Sequence, residues 1–249
     1  MMFQFLFGVD GSREKWADAI RTSLEGKLDD DCVVAMARLG NRYQVAVASE
    51  SGSRLKILEV ISDSIIEALG FYCKYEYLSD NLKLPLDKVS YNILLHALTQ
   101  FDRSSEEAVL KSCVQINNGM ALDGVYRFRL GLLKERWREI INLTKENAIY
   151  LTDSETFYEL IKFLFSSIEA RVENIVLSKK NGDYIITDEK TRKKLFVSTD
   201  INEIIYSLID YAPLSIAVNK SFDNELAVDL ITKIFGMKQN EASVTCLNQ

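Results

Sequence analysis

The sequence predicts an α+β protein, and three observations carry that prediction. Apolar residues alternate with a period of two in short runs near both ends of the chain. Gly40-Asn41 and Asn181-Gly182 place tight-turn residues between such runs. Between the ends, apolar residues recur at helical spacing. The predicted organisation is an N-terminal β-α-β-β-α unit over 1–82, a central all-helical block over 83–172, and a C-terminal α/β unit with a mixed sheet over 173–249.

Residues 3–9 read as a strand. Ser12 is placed to cap a helix whose apolar positions are Trp16, Ala19, Ile20, Leu24 and Leu28, and Asp29-Asp30-Asp31 ends it. Cys32 to Leu39 and Tyr43 to Ala48 form a hairpin across Gly40-Asn41. Ser53 opens a long helix. Asp87 starts the next, through Phe101, and Ser104-Ser105-Glu106-Glu107 caps another that Asn117-Asn118-Gly119 stops. Residues 123–150 and 153–172 read as a pair of long helices. Near Glu173 the period changes to two, with strands at 175–177 and 184–186, and a third at 194–197. Asp200 caps a helix ending before Pro213, Leu214 to Val218 is a strand, and Asp223-Asn224 caps a helix stopped by Gly236. Val244-Thr245-Cys246 reads as a last short strand. The strand–helix alternation at this end predicts some parallel pairing.

Composition narrows the function classes. The chain has 249 residues, 47% hydrophobic and 27% charged, which is ordinary for a folded protein. Its net charge of -6 argues against attachment to nucleic acid by bulk charge, although a local basic face remains compatible with it. Cys32, Cys73, Cys113 and Cys246 are scattered without C-x-x-C spacing, and His96 is the one histidine, so no metal and no cofactor is expected. The apolar start is too short for a signal segment and lacks a basic leader. No window approaches a membrane span. Reduced thiols in a cytoplasm are therefore expected.

The densest chemistry is Arg127, Arg129, Lys134, Arg136 and Arg138, interleaved with Tyr126, Phe128 and Trp137. Arginine presents planar bidentate donors suited to carboxylate or phosphate, and aromatic–arginine mixtures anchor interfaces. The competing and more ordinary reading is pairing with Glu135, Glu139 and neighbouring helices. Gly8-Val9-Asp10-Gly11-Ser12 lies between strand and helix but lacks both the P-loop and the dinucleotide pattern, so it reads as a plain turn. His96 has no nucleophile motif around it and reads as a packing residue. Asp29-Asp30-Asp31 lacks the glycine and distal glutamate of a calcium loop. Cys73 and Cys113 lie in apolar helical sequence and read as packing as small hydrophobes, and Phe157, Tyr158, Phe163 and Phe165 read as core. Residues 190–194 form a short basic turn.

Two segments together resemble a known family. Gly124-Val125-Tyr126-Arg127-Phe128-Arg129-Leu130, with the amphipathic helix after it, is one. The run from Ile204 through Pro213 to Val218, with Ile231-Thr232-Lys233-Ile234-Phe235-Gly236, is the other. Both resemble the YtxC-like family of sporulation proteins from endospore-forming bacteria, over roughly residues 120–240. Members of that family often carry a histidine after the corresponding strand and a cysteine-rich tail. Here the strand ends Val218-Asn219-Lys220 and the tail has Cys246, so no metal or redox role is carried over. The resemblance implies a sporulation context and supplies no reaction.

The leading expectation is a cytoplasmic protein-interaction or structural module without catalytic residues, using Arg127, Arg129, Lys134, Arg136 and Arg138 to bind a protein partner. One alternative is nucleic-acid or phosphate-ligand binding through the same arginines, and another is an enzyme with a site between the helical block and the C-terminal unit.

Overall fold

The computed structural model describes residues 3–50 and 53–235. In chain order the elements are β1 (Phe3–Asp10), α1 (Glu14–Lys27), β2 (Cys32–Leu39), β3 (Arg42–Ser49), α2 (Arg54–Asn81), α3 (Lys88–Gln100), α4 (Arg103–Cys113), β4 (Met120–Ala121), α5 (Leu122–Phe128), α6 (Gly131–Glu146), α7 (Ser154–Ser166), β5 (Val172–Lys180), β6 (Asp183–Asp188), β7 (Lys194–Ser198), α8 (Ile201–Tyr211), β8 (Pro213–Val218) and α9 (Glu225–Phe235). The fold is α+β with two mixed sheets of four strands each. No described helix is long and apolar enough to cross a membrane. The strand expected at Val244-Thr245-Cys246 lies outside the described residues.

The chain forms two compact units: Met1–Leu78 with Arg103–Glu139, and Ser79–Asp102 with Ile140–Gln249. The helices of the middle stretch are therefore divided between them.

In the first unit the sheet order is β2-β3-β1-β4. Phe5, Phe7 and Val9 alternate into the core from β1, and Tyr43, Val45 and Val47 from β3, as a one-sided pleat requires. Both β1 and β2 pair antiparallel with β3, so they run parallel to each other on either side of it. Helix α1 buries Trp16, Ala17, Ile20 and Leu24, and α2 buries Ile57, Ile61, Ile65, Leu69 and Cys73. These stripes recur at three- and four-residue steps and fuse with the sheet into one apolar cluster.

On the other edge of β1 the chain returns after more than a hundred residues. Gly119 N–H donates to Leu6 O at 2.6 Å, and Leu6 N–H donates to Asn118 Oδ1 at 2.7 Å. Met120 and Ala121 then pair parallel with Phe7 and Gly8. This anchor fixes where α5 begins.

In the second unit the order is β7-β6-β5-β8, with β8 parallel to β5 and the other pairs antiparallel. The β5–β6 turn is Asn181-Gly182, at φ of 55° and 92°. Two successive positive values match the right-handed strand twist, and glycine adopts its value without a Cβ clash. Helix α8 packs against α3, β6 and β7. Asp200 caps it by accepting from Asn202 N–H at 2.8 Å.

Several expectations are corrected in detail. Ser12 does not cap α1; Asp10 instead accepts from Ser12 N–H at 3.0 Å and from its hydroxyl at 2.7 Å, closing a tight turn. The helix expected over 123–150 breaks into α5 and α6, and the one expected to 172 stops at Ser166. Helix α4 starts at Arg103, ahead of the expected capping run Ser104-Ser105-Glu106-Glu107, and Glu106 is buried in its first turn. Phe163 is 62% exposed, unlike its core partner Phe157.

Asp87 does cap α3. It accepts from Val89 N–H at 2.9 Å and Ser90 N–H at 3.1 Å. Hydrogen bonds from Ser90, side chain first and then backbone, hold its carboxyl below the usual range. A carboxyl lowered by folding adds stability above its unfolded-state pKa and loses it as pH falls through the folded-state value. Asp87→Ala is thus expected to cost about 1 kcal/mol at neutral pH. In chemical melts the gap from wild type should close on acidification. A gap that does not change with pH would assign the loss to something other than the carboxylate.

Candidate functional site

The candidate site lies entirely in the first unit, where α4 ends and α5 and α6 follow β4. Helix α5 buries Leu122 and Val125. Arg42 of β3 forms an ion pair with Asp123 and ties the start of α5 to the sheet. The helix stops after two turns, with Arg129 N–H donating to Val125 O at 2.9 Å. Leu130 is buried at the joint, and α6 then turns Leu133 and Trp137 inward, four residues apart on one face.

That geometry forces the neighbouring positions outward. Arg127, Arg129, Arg136 and Arg138 are exposed. None of the four forms an ion pair among the described residues. Phe128 is 83% exposed and Leu132 55%. From 127 to 138 the chain carries five cations and one carboxylate, Glu135, against an overall charge of -6. The internal pairing with Glu135 and Glu139 that would make this an ordinary solvated face is not formed among the described residues.

The segment is not uniform. Lys134 is half-buried with Nζ 4.2 Å from the centre of the Tyr126 ring. Arg13 covers the same ring at 5.2 Å and Trp16 at 4.7 Å, and donates through Nε to Glu76 Oε2 at 2.9 Å. Tyr126 meets the Trp16 ring edge-on at 5.8 Å. Lys134 and Tyr126 thus belong to a packed cation–aromatic layer. Trp137, read from sequence as a surface anchor, is fully buried and donates through Nε1 to Glu106 Oε1 at 2.9 Å. The same oxygen lies 2.9 Å from Lys74 Nζ, in a pair with side-chain exposures of 0% and 1%.

Beside Arg129 is a cavity of about 390 Å³ lined by Cys113, Val114, Met120, Val125, Phe128 and Arg129, among others. Gly124 also lines it, and a Cβ built there meets nothing within 4 Å. No Asp or Glu lines it. Sequence reasoning missed this cavity, since it depends on β4 pairing with β1. Cys113 is half-buried at its wall and packs against the apolar cluster, whereas Cys73 is fully buried and burial pushes its thiol pKa well up.

The remaining sequence candidates stay apart from this site. His96 and residues 190–194 belong to the second unit. His96 Nδ1 lies 2.8 Å from Asp210 Oδ1, and its ring stacks on Tyr206 at 5.1 Å, so it joins α3 to α8 as a packing residue with a polar tether. Lys190 sits 3.6 Å from Glu173 in an exposed pair. Asp29-Asp30-Asp31 is an exposed turn. The carboxyls of Asp10, Asp87, Asp153, Asp188 and Asp223 are held below their ordinary pKa by hydrogen bonds they accept. None of them lines the cavity. No family model, no curated protein and no solved structure matches the chain.

Proposed function

We propose that this chain is a cytoplasmic protein-interaction module of the bacterial sporulation programme, binding an acidic protein partner through the exposed arginines of α5 and α6. The sporulation context is supported by the resemblance of residues 120–240 to the YtxC-like family. The observation that carries the interaction role is the set of Arg127, Arg129, Arg136 and Arg138, exposed and without carboxylate partners among the described residues, with Phe128 exposed between the first two. Arginine and aromatic residues are enriched among the side chains that anchor interfaces.

The test is fluorescence anisotropy with a labelled Glu-rich peptide. Wild type should bind, and the affinity should fall as salt screens the pairing. Replacing Arg127, Arg129, Arg136 and Arg138 by Ala should abolish binding. Each single replacement should shift stability by less than roughly 0.5 kcal/mol, as at ordinary surface sites. Equal binding by wild type and the quadruple variant would sink the reading. Binding of single-stranded DNA without peptide binding would transfer the site to nucleic acid. Loss of heat-resistant spores on deletion of the gene tests the context separately.

A further inference from the structure

We infer that the cavity between the end of α4 and α5 is a socket for one bulky apolar side chain of that acidic partner segment, with Arg127 and Arg129 pairing its flanking carboxylates. This rests on the preceding proposal and adds a second recognition element to it.

The volume, about 390 Å³, lies within the range of small binding pockets and is ample for a leucine, methionine or phenylalanine side chain. Its walls include Val114, Met120 and Val125 beside the polar Gln115 and Asn117, and methionine adapts its shape to what enters. Phe128 stands at the lip, 83% exposed. An aromatic left in water beside an apolar hollow gains most when a partner covers both. The one charged group lining the cavity is Arg129. An occupant therefore needs an apolar body flanked by negative charge. An acidic peptide with a single hydrophobic anchor has both, its carboxylates meeting Arg129 at the wall. A basic or uniformly polar segment satisfies neither wall nor rim.

Two Glu-rich peptides that differ only in a central Leu or Ala separate this inference from the broader reading. The Leu peptide should bind the full chain roughly tenfold tighter or more, as expected for burying three extra carbons. Gly124→Leu fills the cavity from a helical position with open space around it, and it improves helix propensity, so the fold is retained. In that variant the Leu peptide should fall to the affinity of the Ala peptide, whose salt-dependent binding persists. A second readout needs no variant: alkylation of Cys113 by iodoacetamide, followed by mass mapping, should slow with the Leu peptide and not with the Ala peptide. Equal affinities with unchanged Cys113 reactivity would overturn the socket and leave the arginine face standing. Failure of both peptides to bind would overturn the two together. Protection of Cys113 by decanoate, with no discrimination between the peptides, would reassign the cavity to a small amphiphile and overturn the inference.

Discussion

Glu106→Ala is expected to destabilise the first unit by roughly 3–5 kcal/mol. The Lys74 side chain is fully buried and its ammonium lies 2.9 Å from Glu106 Oε1, itself on a side chain 1% exposed. Together the two charges offset much of the desolvation each suffers, but removing the carboxylate strands an ammonium in an apolar core. The loss therefore exceeds anything the pair contributes net. Replacing both residues discriminates. Lys74→Met with Glu106→Gln removes the charge, keeps most of the volume and preserves a carbonyl acceptor for Trp137. It should recover most of the stability lost in Glu106→Ala. Both tryptophans, Trp16 and Trp137, lie in the first unit, so urea unfolding followed by tryptophan fluorescence reports that unit alone. A Glu106→Ala chain unfolding within about 0.5 kcal/mol of wild type, the scatter of surface sites, would contradict a buried pair.

Trp137→Ala should cost a similar amount, about 3–5 kcal/mol, for a different reason. The indole is fully buried against the Tyr77 ring of α2, 5.6 Å away, and Glu106 of α4, and its removal leaves a cavity among packed helices. Trp137→Phe keeps most of the packing and loses the N–H that Glu106 accepts, so it should cost about 1–3 kcal/mol. The order matters more than either value. If Phe and Ala variants unfold together, the hydrogen bond outweighs the volume. If neither moves, Trp137 faces solvent and belongs with the arginines after all. Trp16 remains as the fluorescent probe in both variants.

The two sheets were legible in the sequence because their signals are local. Alternation in 3–9, 43–48 and 175–177 needs no knowledge of distant residues, and Asn181-Gly182 specifies its turn within two positions. The Asp87 and Asp200 caps were legible for the same reason. What escaped depends on contacts far apart in the chain. β4 is two residues long, too short to leave a periodic trace, and exists through its pairing with β1. The capping pattern around Glu106 was outweighed by Lys74, whose position opposite it no local window contains. The arginine cluster was visible as composition, but which members face outward was decided by the joint at Leu130. That joint turns Phe128 out and Trp137 in, the reverse of treating all the aromatics there as equivalent anchors. The cavity was invisible, since its walls come from α4, β4 and α5 and meet only once β1 has gathered them.

The first unit is discontinuous, which sets an order of events as the nascent chain emerges during synthesis. When residue 102 has appeared, β1, β2, β3, α1 and most of α2 are available, yet Lys74 has no counter-ion and the edge of β1 has no β4. Residues 79–102, which belong to the other unit, must then wait as a looped-out passenger until α4, β4, α5 and the first turns of α6 arrive. For that interval Cys73, Leu69 and the edge of β1 present a sticky, half-charged surface to everything nearby. Holding factors that shield apolar surface act in this window. A chain stopped anywhere between 78 and 106 carries the same defect permanently, because it retains Lys74 and lacks Glu106.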